Sequence, residues 1–299
     1  MHVLITGISG FVGPRLARHL LKRGDRVSGT YLADHPAFPE AAEVRLFEVD
    51  LQDAAALERV VRDAAPDAIV HLAGLSHVGE SWKRMPDYFR VNVLGTDNLL
   101  AAAAGRPVVV ASSAEVYGLV PDEEQPIAED RQVDPRTPYA LTKAAAERLA
   151  LLRGAVVARS FNLVGPGQSP KFALPTFAEQ LSAIARGGRE PVLRVGNLAA
   201  RRDFVHVDDG AEAFRLLAEK GERGGIYNIA SGRACSIQEA LERLMKLSGV
   251  EASIEPDPER MRPVDLPLLL GDASSLRALG WTPRRTLDDA LADLWAAAR

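Results

Sequence analysis

Tyr139 and Lys143 stand four residues apart in Thr137-Pro138-Tyr139-Ala140-Leu141-Thr142-Lys143. On a helix that spacing puts a phenol and an ammonium on one face, where the cation can stabilise a tyrosinate and make the phenol a working proton donor or acceptor. Solvated Tyr/Lys neighbours are common on helix surfaces, so the pair takes its meaning from context. One context is Gly7-Ile8-Ser9-Gly10-Phe11-Val12-Gly13, with glycine at every third position directly after an apolar run. Such a run permits a tight turn and lets a pyrophosphate approach free helix N–H groups. A second is Ala111-Ser112-Ser113-Ala114-Glu115-Val116-Tyr117-Gly118. Here the Ser113 hydroxyl can hold a substrate oxygen and Glu115 can act as acid or base at a neighbouring carbon. The same Ser/Glu pair is also an ordinary helix-start signal. Tyr117 has no lysine at helical spacing and is the weaker proton donor.

These groups need elements to hold them. The first half alternates short apolar runs with helical patterns, which predicts parallel strands joined by crossover helices. Strands are expected at 2–6, 26–32, 44–49, 68–72, 107–112 and 155–159, and helices at 13–23, 53–64, 81–104 and 137–152. Thr137 suits an N-cap and Pro138 the first helical position, where its missing N–H costs no bond. The glycine run thus lies between a strand and a helix, which favours dinucleotide binding by Gly7, Gly10, Phe11, Val12 and Gly13. After residue 159 the pattern changes: a Gly/Pro loop at 165–170, a helix at 175–186, strands at 192–195 and 225–230, a helix at 236–248, a Pro-rich segment at 255–267 and a closing helix at 287–298. The fold expected is α/β. A Rossmann-type doubly wound parallel sheet spans 1–162 and is rejoined by 204–230. A smaller discontinuous C-terminal substrate lobe, 163–203 and 231–299, faces the strand ends, where open parallel sheets bind ligands.

Composition narrows the class. With 47% hydrophobic and 25% charged residues the chain reads as an ordinary globular protein. A net charge of -4 offers no basic footprint for nucleic acid. No apolar run is long enough to span a bilayer, and the N-terminus enters a strand without a leader pattern, so the expected location is cytoplasmic. The single cysteine, Cys235, excludes an intramolecular disulfide and a multi-cysteine metal site, and no metal is expected. Asp50-Leu51, ending the third strand, either presents a carboxylate and an N–H near an adenine or simply caps the next helix. The second strand ends without an acid for the ribose 2′-OH or an arginine for a 2′-phosphate, and Asp34 falls slightly late. The cofactor is therefore read as NADP or NAD, with the choice open.

Gly7-x-x-Gly10-x-x-Gly13, His71-Leu72-Ala73-Gly74, the Ser113/Glu115 strip and Tyr139-x-x-x-Lys143 together resemble the extended short-chain dehydrogenase/reductases that modify nucleotide sugars, almost end to end. Later stretches are more particular: Arg159-Ser160-Phe161-Asn162-Leu163-Val164-Gly165-Pro166-Gly167, Gly196-Asn197-Leu198-Ala199-Ala200-Arg201-Arg202-Asp203-Phe204, and Arg262-Pro263-Val264-Asp265-Leu266-Pro267 before Gly271-Asp272. These look like the GDP-mannose branch of 4,6-dehydratases and GDP-6-deoxy-4-ketohexose reductases. The resemblance implies that Ser113, Tyr139 and Lys143 form the redox core, Lys143 also touching the nicotinamide ribose. It implies that Leu72, Ala73 and Gly74 border the cofactor, and that Asn162, Arg202 and Arg262 hold a sugar-nucleotide diphosphate, a task suited to guanidinium forks. It further implies a homodimer in which the helices beginning near Ser81 and Thr137 pair into a four-helix bundle.

Within that branch Glu115 matches the dehydratase glutamate but is retained in reductases, and Ser76-His77-Val78 looks like the dehydratases. Ser81-Trp82, Gly165-Pro166-Gly167-Gln168-Ser169-Pro170, Arg194-Val195-Gly196-Asn197-Leu198 and the length look like the reductases. Leu32 and Ala33 stand where dehydratases carry arginines. The resemblance therefore implies NAD(P)H-dependent reduction of a GDP-linked 4-keto-6-deoxy sugar, with Lys143 lowering the pKa of Tyr139. The alternatives are a dehydratase or epimerase on a nucleotide sugar and a non-catalytic nucleotide-binding protein.

Overall fold

The computed structural model describes residues 1–32, 38–261 and 264–299. Its first half repeats strand, crossover and strand: β1 (His2–Thr6), α1 (Gly13–Leu21), β2 (Arg26–Tyr31), β3 (Arg45–Glu48), α2 (Ala54–Ala64) and β4 (Ala68–His71). Then come α3 (Val78–Lys83), α4 (Met85–Tyr88), α5 (Gly95–Ala102), β5 (Val108–Ser113), α6 (Pro138–Leu152) and β6 (Val156–Ser160). Side chains at the caps set several boundaries. Asp53, not Asp50, caps α2 by accepting the Ala56 N–H at 2.9 Å, and Thr137 Oγ1 accepts the Ala140 N–H at 3.1 Å to start α6 with Pro138 behind it.

The helix expected over 81–104 is broken into α3, α4, a π-helical turn at Phe89–Leu94, and α5. Pro86 cannot donate to the preceding turn, and Arg84 between α3 and α4 leaves helical geometry at φ -126°. The π turn widens the helix around buried Asn92.

The second half continues with β7 (Asn162–Val164), α7 (Ala173–Ala185), β8 (Val192–Val195), β9 (Arg201–His206), α8 (Val207–Lys220) and β10 (Ile226–Ile229). It ends with β11 (Ala234–Ser236), α9 (Ile237–Ser248), β12 (Ser253–Pro256), β13 (Leu268–Leu269), α10 (Ser274–Ala278) and α11 (Leu287–Ala298). Seven strands form one parallel sheet in the order β10-β6-β5-β4-β1-β2-β3. Order reverses between β1 and β4, so successive crossovers pass to opposite faces and leave a crevice at the carboxyl ends of those two strands. Both faces are covered at the centre of the sheet, which is why β1 is buried throughout and its middle residues, Val3, Leu4 and Ile5, are apolar without alternating. In a smaller sheet β9 pairs with β7, β11 and β13. Beside it β8 pairs with β12, and α7, α9 and α11 close a separate apolar core around Phe177, Leu193, Leu241 and Trp295. Residues Leu266, Leu269, Leu276 and Trp281 pack instead into a core of the large sheet. No helix among the described residues is long and apolar enough to cross a membrane.

One polar network runs through the large sheet. Glu147 on α6 accepts Arg159 Nε and Nη2 at 3.0 and 2.8 Å and the Ser112 hydroxyl at 2.5 Å. Arg159 also donates to the Tyr117 hydroxyl at 3.0 Å, which donates to Asn228 Oδ1 at 2.7 Å. The network ties β5, α6, β6 and β10 together. Glu147→Ala leaves a buried guanidinium uncompensated, and we expect it to lower unfolding free energy by about 3 kcal/mol or more in urea denaturation.

Candidate active site

The crevice opens into a cleft of about 1030 Å³ lined by Gly7, Gly10, Phe11 and Val12 at the end of β1, Asp50 and Leu51 beyond β3, and Leu72, Ala73 and Gly74 beyond β4. Glycines let the turn pack closely against its neighbours. Gly7 has φ +67°, and a Cβ there would lie 2.8 Å from the Ala73 Cα. Gly13 is not part of the wall; it brings α1 onto the turn, since a Cβ would meet the Ile8 carbonyl oxygen at 2.3 Å. A bare turn running into a helix N-terminus, with a long cleft beyond it, fits a dinucleotide. Asp50 accepts the Gln52 N–H at 2.9 Å and so is held at the cleft edge. Leu32 also lines this end; Ala33 and Asp34 lie outside the described residues.

Ser113, Glu115 and Tyr139 line the inner end of the cleft. Ser113 closes β5 and its hydroxyl accepts the Glu115 N–H at 3.2 Å, so the helix-start role and the exposure of both side chains to the cleft coexist. Tyr139 is buried in the first turn of α6 and packs edge-on to Tyr88, with ring centroids 6.4 Å apart. Burial pushes its phenol well above the ordinary range, a hydrogen bond with Ser113 pulls the other way, and the Glu115 charge adds to the rise. Desolvation is the largest influence on this phenol, ahead of the charged groups around it. Lys143 is itself affected, its ammonium dropped to about 8 by burial against the opposing pull of Glu147. Tyr117, held between Arg159 and Asn228, is pushed up to about 12 by burial and is structural.

Asn92 escaped the sequence reading. Its side chain accepts the Leu75 N–H at 2.8 Å and donates to the Leu75 carbonyl at 2.9 Å and to Thr142 Oγ1 at 3.1 Å, fixing the loop after β4 against α6. The signal was an asparagine in an otherwise apolar helical run. Beneath it the Ala73 N–H donates to Thr6 Oγ1, which faces His71 Nδ1 at 2.7 Å, while His71 Nε2 faces Thr96 Oγ1 at 2.9 Å. Since the Thr96 hydroxyl donates to the Asn92 carbonyl, it accepts from Nε2–H, and the imidazole is neutral.

A second cavity of about 380 Å³ adjoins the cleft and shares Asn162, Leu163, Gln168 and Phe172 with it. Asn162 is exposed to both, and Arg202 lies on the wall of the smaller one, bonded to Asp265 Oδ1 at 2.6 Å. Arg262 lies outside the described residues. Arg15 on α1 donates to the Phe11 carbonyl at 2.9 Å and to the Pro166 carbonyl at 2.5 Å, linking the glycine turn to the loop beyond β7. Cys235 is buried away from both cavities.

The family model described as GDP-mannose 4,6 dehydratase matches residues 4–294. The chain belongs to that family. It is an NAD(P)-dependent, short-chain dehydrogenase/reductase-type enzyme acting on a nucleotide sugar. Over 97% of its length it is 35% identical to GDP-6-deoxy-D-mannose reductase from Pseudomonas aeruginosa, covering 94% of that protein. The structure of RMD from the same organism complexed with NADPH superposes with a TM-score of 0.85 at 33% identity, covering 99% of this chain and 98% of that one. The UDP-glucose 4-epimerase of Thermus thermophilus in complex with NAD gives 0.90 at 31% identity over 100% and 99%. The Rossmann-type expectation and the assignment to a nicotinamide cofactor, NADP or NAD, agree with these relatives.

Burial lowers the His71 pKa to about 3 from 6.5. Unfolded chains take up this proton below about 6.5 and the folded protein does not, so stability falls as pH drops through that window, by about 1.4 kcal/mol per unit for one group. Urea denaturation between pH 6 and 4.5 should show a steeper fall in the parent protein than in His71→Gln, the difference approaching that slope.

Proposed function

We propose that the protein reduces the C4 ketone of GDP-4-dehydro-6-deoxy-D-mannose to a GDP-6-deoxyhexose such as GDP-D-rhamnose. The observation that carries this reading is the placement of the Tyr139 phenol with Ser113 and Glu115 at the inner end of a dinucleotide-sized cleft. Reduction of a ketone needs a proton donor placed beside the developing alkoxide. The reductase relative supports the choice of a GDP-linked ketosugar.

Bound NADPH or NADH supplies the hydride; the chain's residues do the rest. Gly7, Gly10, Phe11 and Val12 admit the pyrophosphate, Asp50 and Leu51 border the adenine end, and Leu72, Ala73 and Gly74 form the floor. Ser113 holds the carbonyl oxygen, and Tyr139 gives it a proton as negative charge develops. Lys143, largely cationic at neutral pH, then stabilises the tyrosinate across one helical turn. Asn162, Arg202 and Arg262 hold the substrate diphosphate.

Glu115 beside Tyr139 favours one alternative, a 4,6-dehydratase, in which a carboxylate would remove the C5 proton. The two readings separate by assay. Oxidation of NAD(P)H that depends on added GDP-4-keto-6-deoxymannose marks a reductase; a 4-keto-6-deoxy product from GDP-mannose and oxidised cofactor marks a dehydratase. In Tyr139→Phe, kcat should fall at least about a hundredfold while GDP-sugar binding persists. Near-wild-type turnover would remove Tyr139 from the mechanism.

Trp82, Met85, Leu94 and Leu141 leave apolar side chains exposed on α3, α4, the π turn and α6. This supports a homodimer in which these helices pair as a four-helix bundle. Sedimentation at micromolar concentration should give twice the chain mass; a monomer contradicts the pairing.

A further inference from the structure

Balanced charge surrounds the smaller cavity. Among the described residues lining it, the cations Lys171, Arg202 and Arg260 face the carboxylates Glu80, Glu259 and Asp265. Arg202 is already engaged with Asp265 and with the Leu266 and Arg201 carbonyls, at 2.6, 2.6 and 2.9 Å. Arg260 is held to Asp257 through Nε at 3.1 Å. The His77 ring stands between Glu80 and Lys171: its Nδ1 accepts the Glu80 N–H at 3.1 Å and its Nε2 faces the Lys171 carbonyl at 3.0 Å. A diphosphate entering this wall needs a cation that can change partner.

Lys171 is built to do so. Its ammonium meets the Glu80 carboxylate at 2.5 Å, reaching from the loop after β7 to α3. The Lys171 backbone is fixed by His77, and the next residue, Phe172, packs edge-on against the His77 ring with centroids 5.6 Å apart. Its side chain is not fixed: it is 57% exposed and Glu80 34% exposed. A pair so open to water contributes little net stability. Phosphate oxygens, carrying more charge and more acceptors, compete well for the same ammonium.

We propose that Lys171 is a diphosphate-binding residue held in reserve by Glu80, exchanging that carboxylate for phosphate oxygens when a nucleoside diphosphate enters. The proposal rests on the smaller cavity receiving the nucleotide end of the substrate.

The test is calorimetric titration of GDP, UDP and guanosine into the full-length protein saturated with NADPH. Lys171→Met should weaken GDP binding about tenfold and leave guanosine unchanged, and Lys171→Arg should restore most of the loss. Glu80→Gln should tighten GDP binding severalfold, because the ammonium is no longer occupied. A plain strap between the lobes predicts the opposite for Glu80→Gln, since both substitutions break one bridge; weakening by both overturns the proposal. So does a Lys171→Met variant with unchanged GDP affinity, or failure of both diphosphates to bind. Equal binding of UDP would sink the guanosine preference alone, and intact diphosphate binding without ketosugar turnover would sink the reductase reading alone.

Discussion

The buried pair of Glu147 and Arg159 fixes α6, which carries Tyr139 and Lys143, against the centre of the sheet. Two charges taken out of water gain little net stability unless their remaining hydrogen-bonding positions are filled. Here Ser112 and Tyr117 fill them. What the arrangement supplies is position. Glu147 lies one helical turn beyond Lys143 and two beyond Tyr139, so locking Glu147 to β6 and to the end of β5 fixes the axial placement of α6 against Ser113. Sliding α6 by a turn would strand the guanidinium.

The second lobe relies on a similar device at its junction with the first. On β9, alternation sends adjacent residues to opposite sides. Arg202 faces the smaller cavity, while Asp203, fully buried, accepts the Ser231 N–H and hydroxyl at 2.8 and 2.6 Å and the Gly232 and Gly271 N–H groups at 2.9 and 3.3 Å. Burial pushes that carboxyl up and the four bonds pull it back. The strand that carries Arg202 to the wall of the smaller cavity is thereby anchored to the turn after β10 and to the chain beyond β13.

Much of this was legible in the chain. Short apolar runs located all seven strands of the large sheet to within two residues, most plainly the central ones, which are covered on both faces. The start of α6 followed from Thr137 and Pro138. β9 and α8 were not legible: polar and charged residues interrupt the apolar period of both, and those of Arg202, Asp203 and Asp209 find their partners far away in sequence. The break in 81–104 was signalled by Pro86, but the π turn depends on packing around Asn92. At the site, Tyr139 and Lys143 fall on one helix as their spacing requires, whereas the burial of each was not legible, since separation along a helix is local and desolvation is set by what the rest of the fold lays over it.

Arg15 carries a consequence of its own. Its guanidinium bridges the carbonyls of Phe11 and Pro166, one in the glycine turn and one in the loop beyond β7. The two walls of the cleft, far apart in sequence, are thus tied through a single side chain, and a displacement of either is carried to the other.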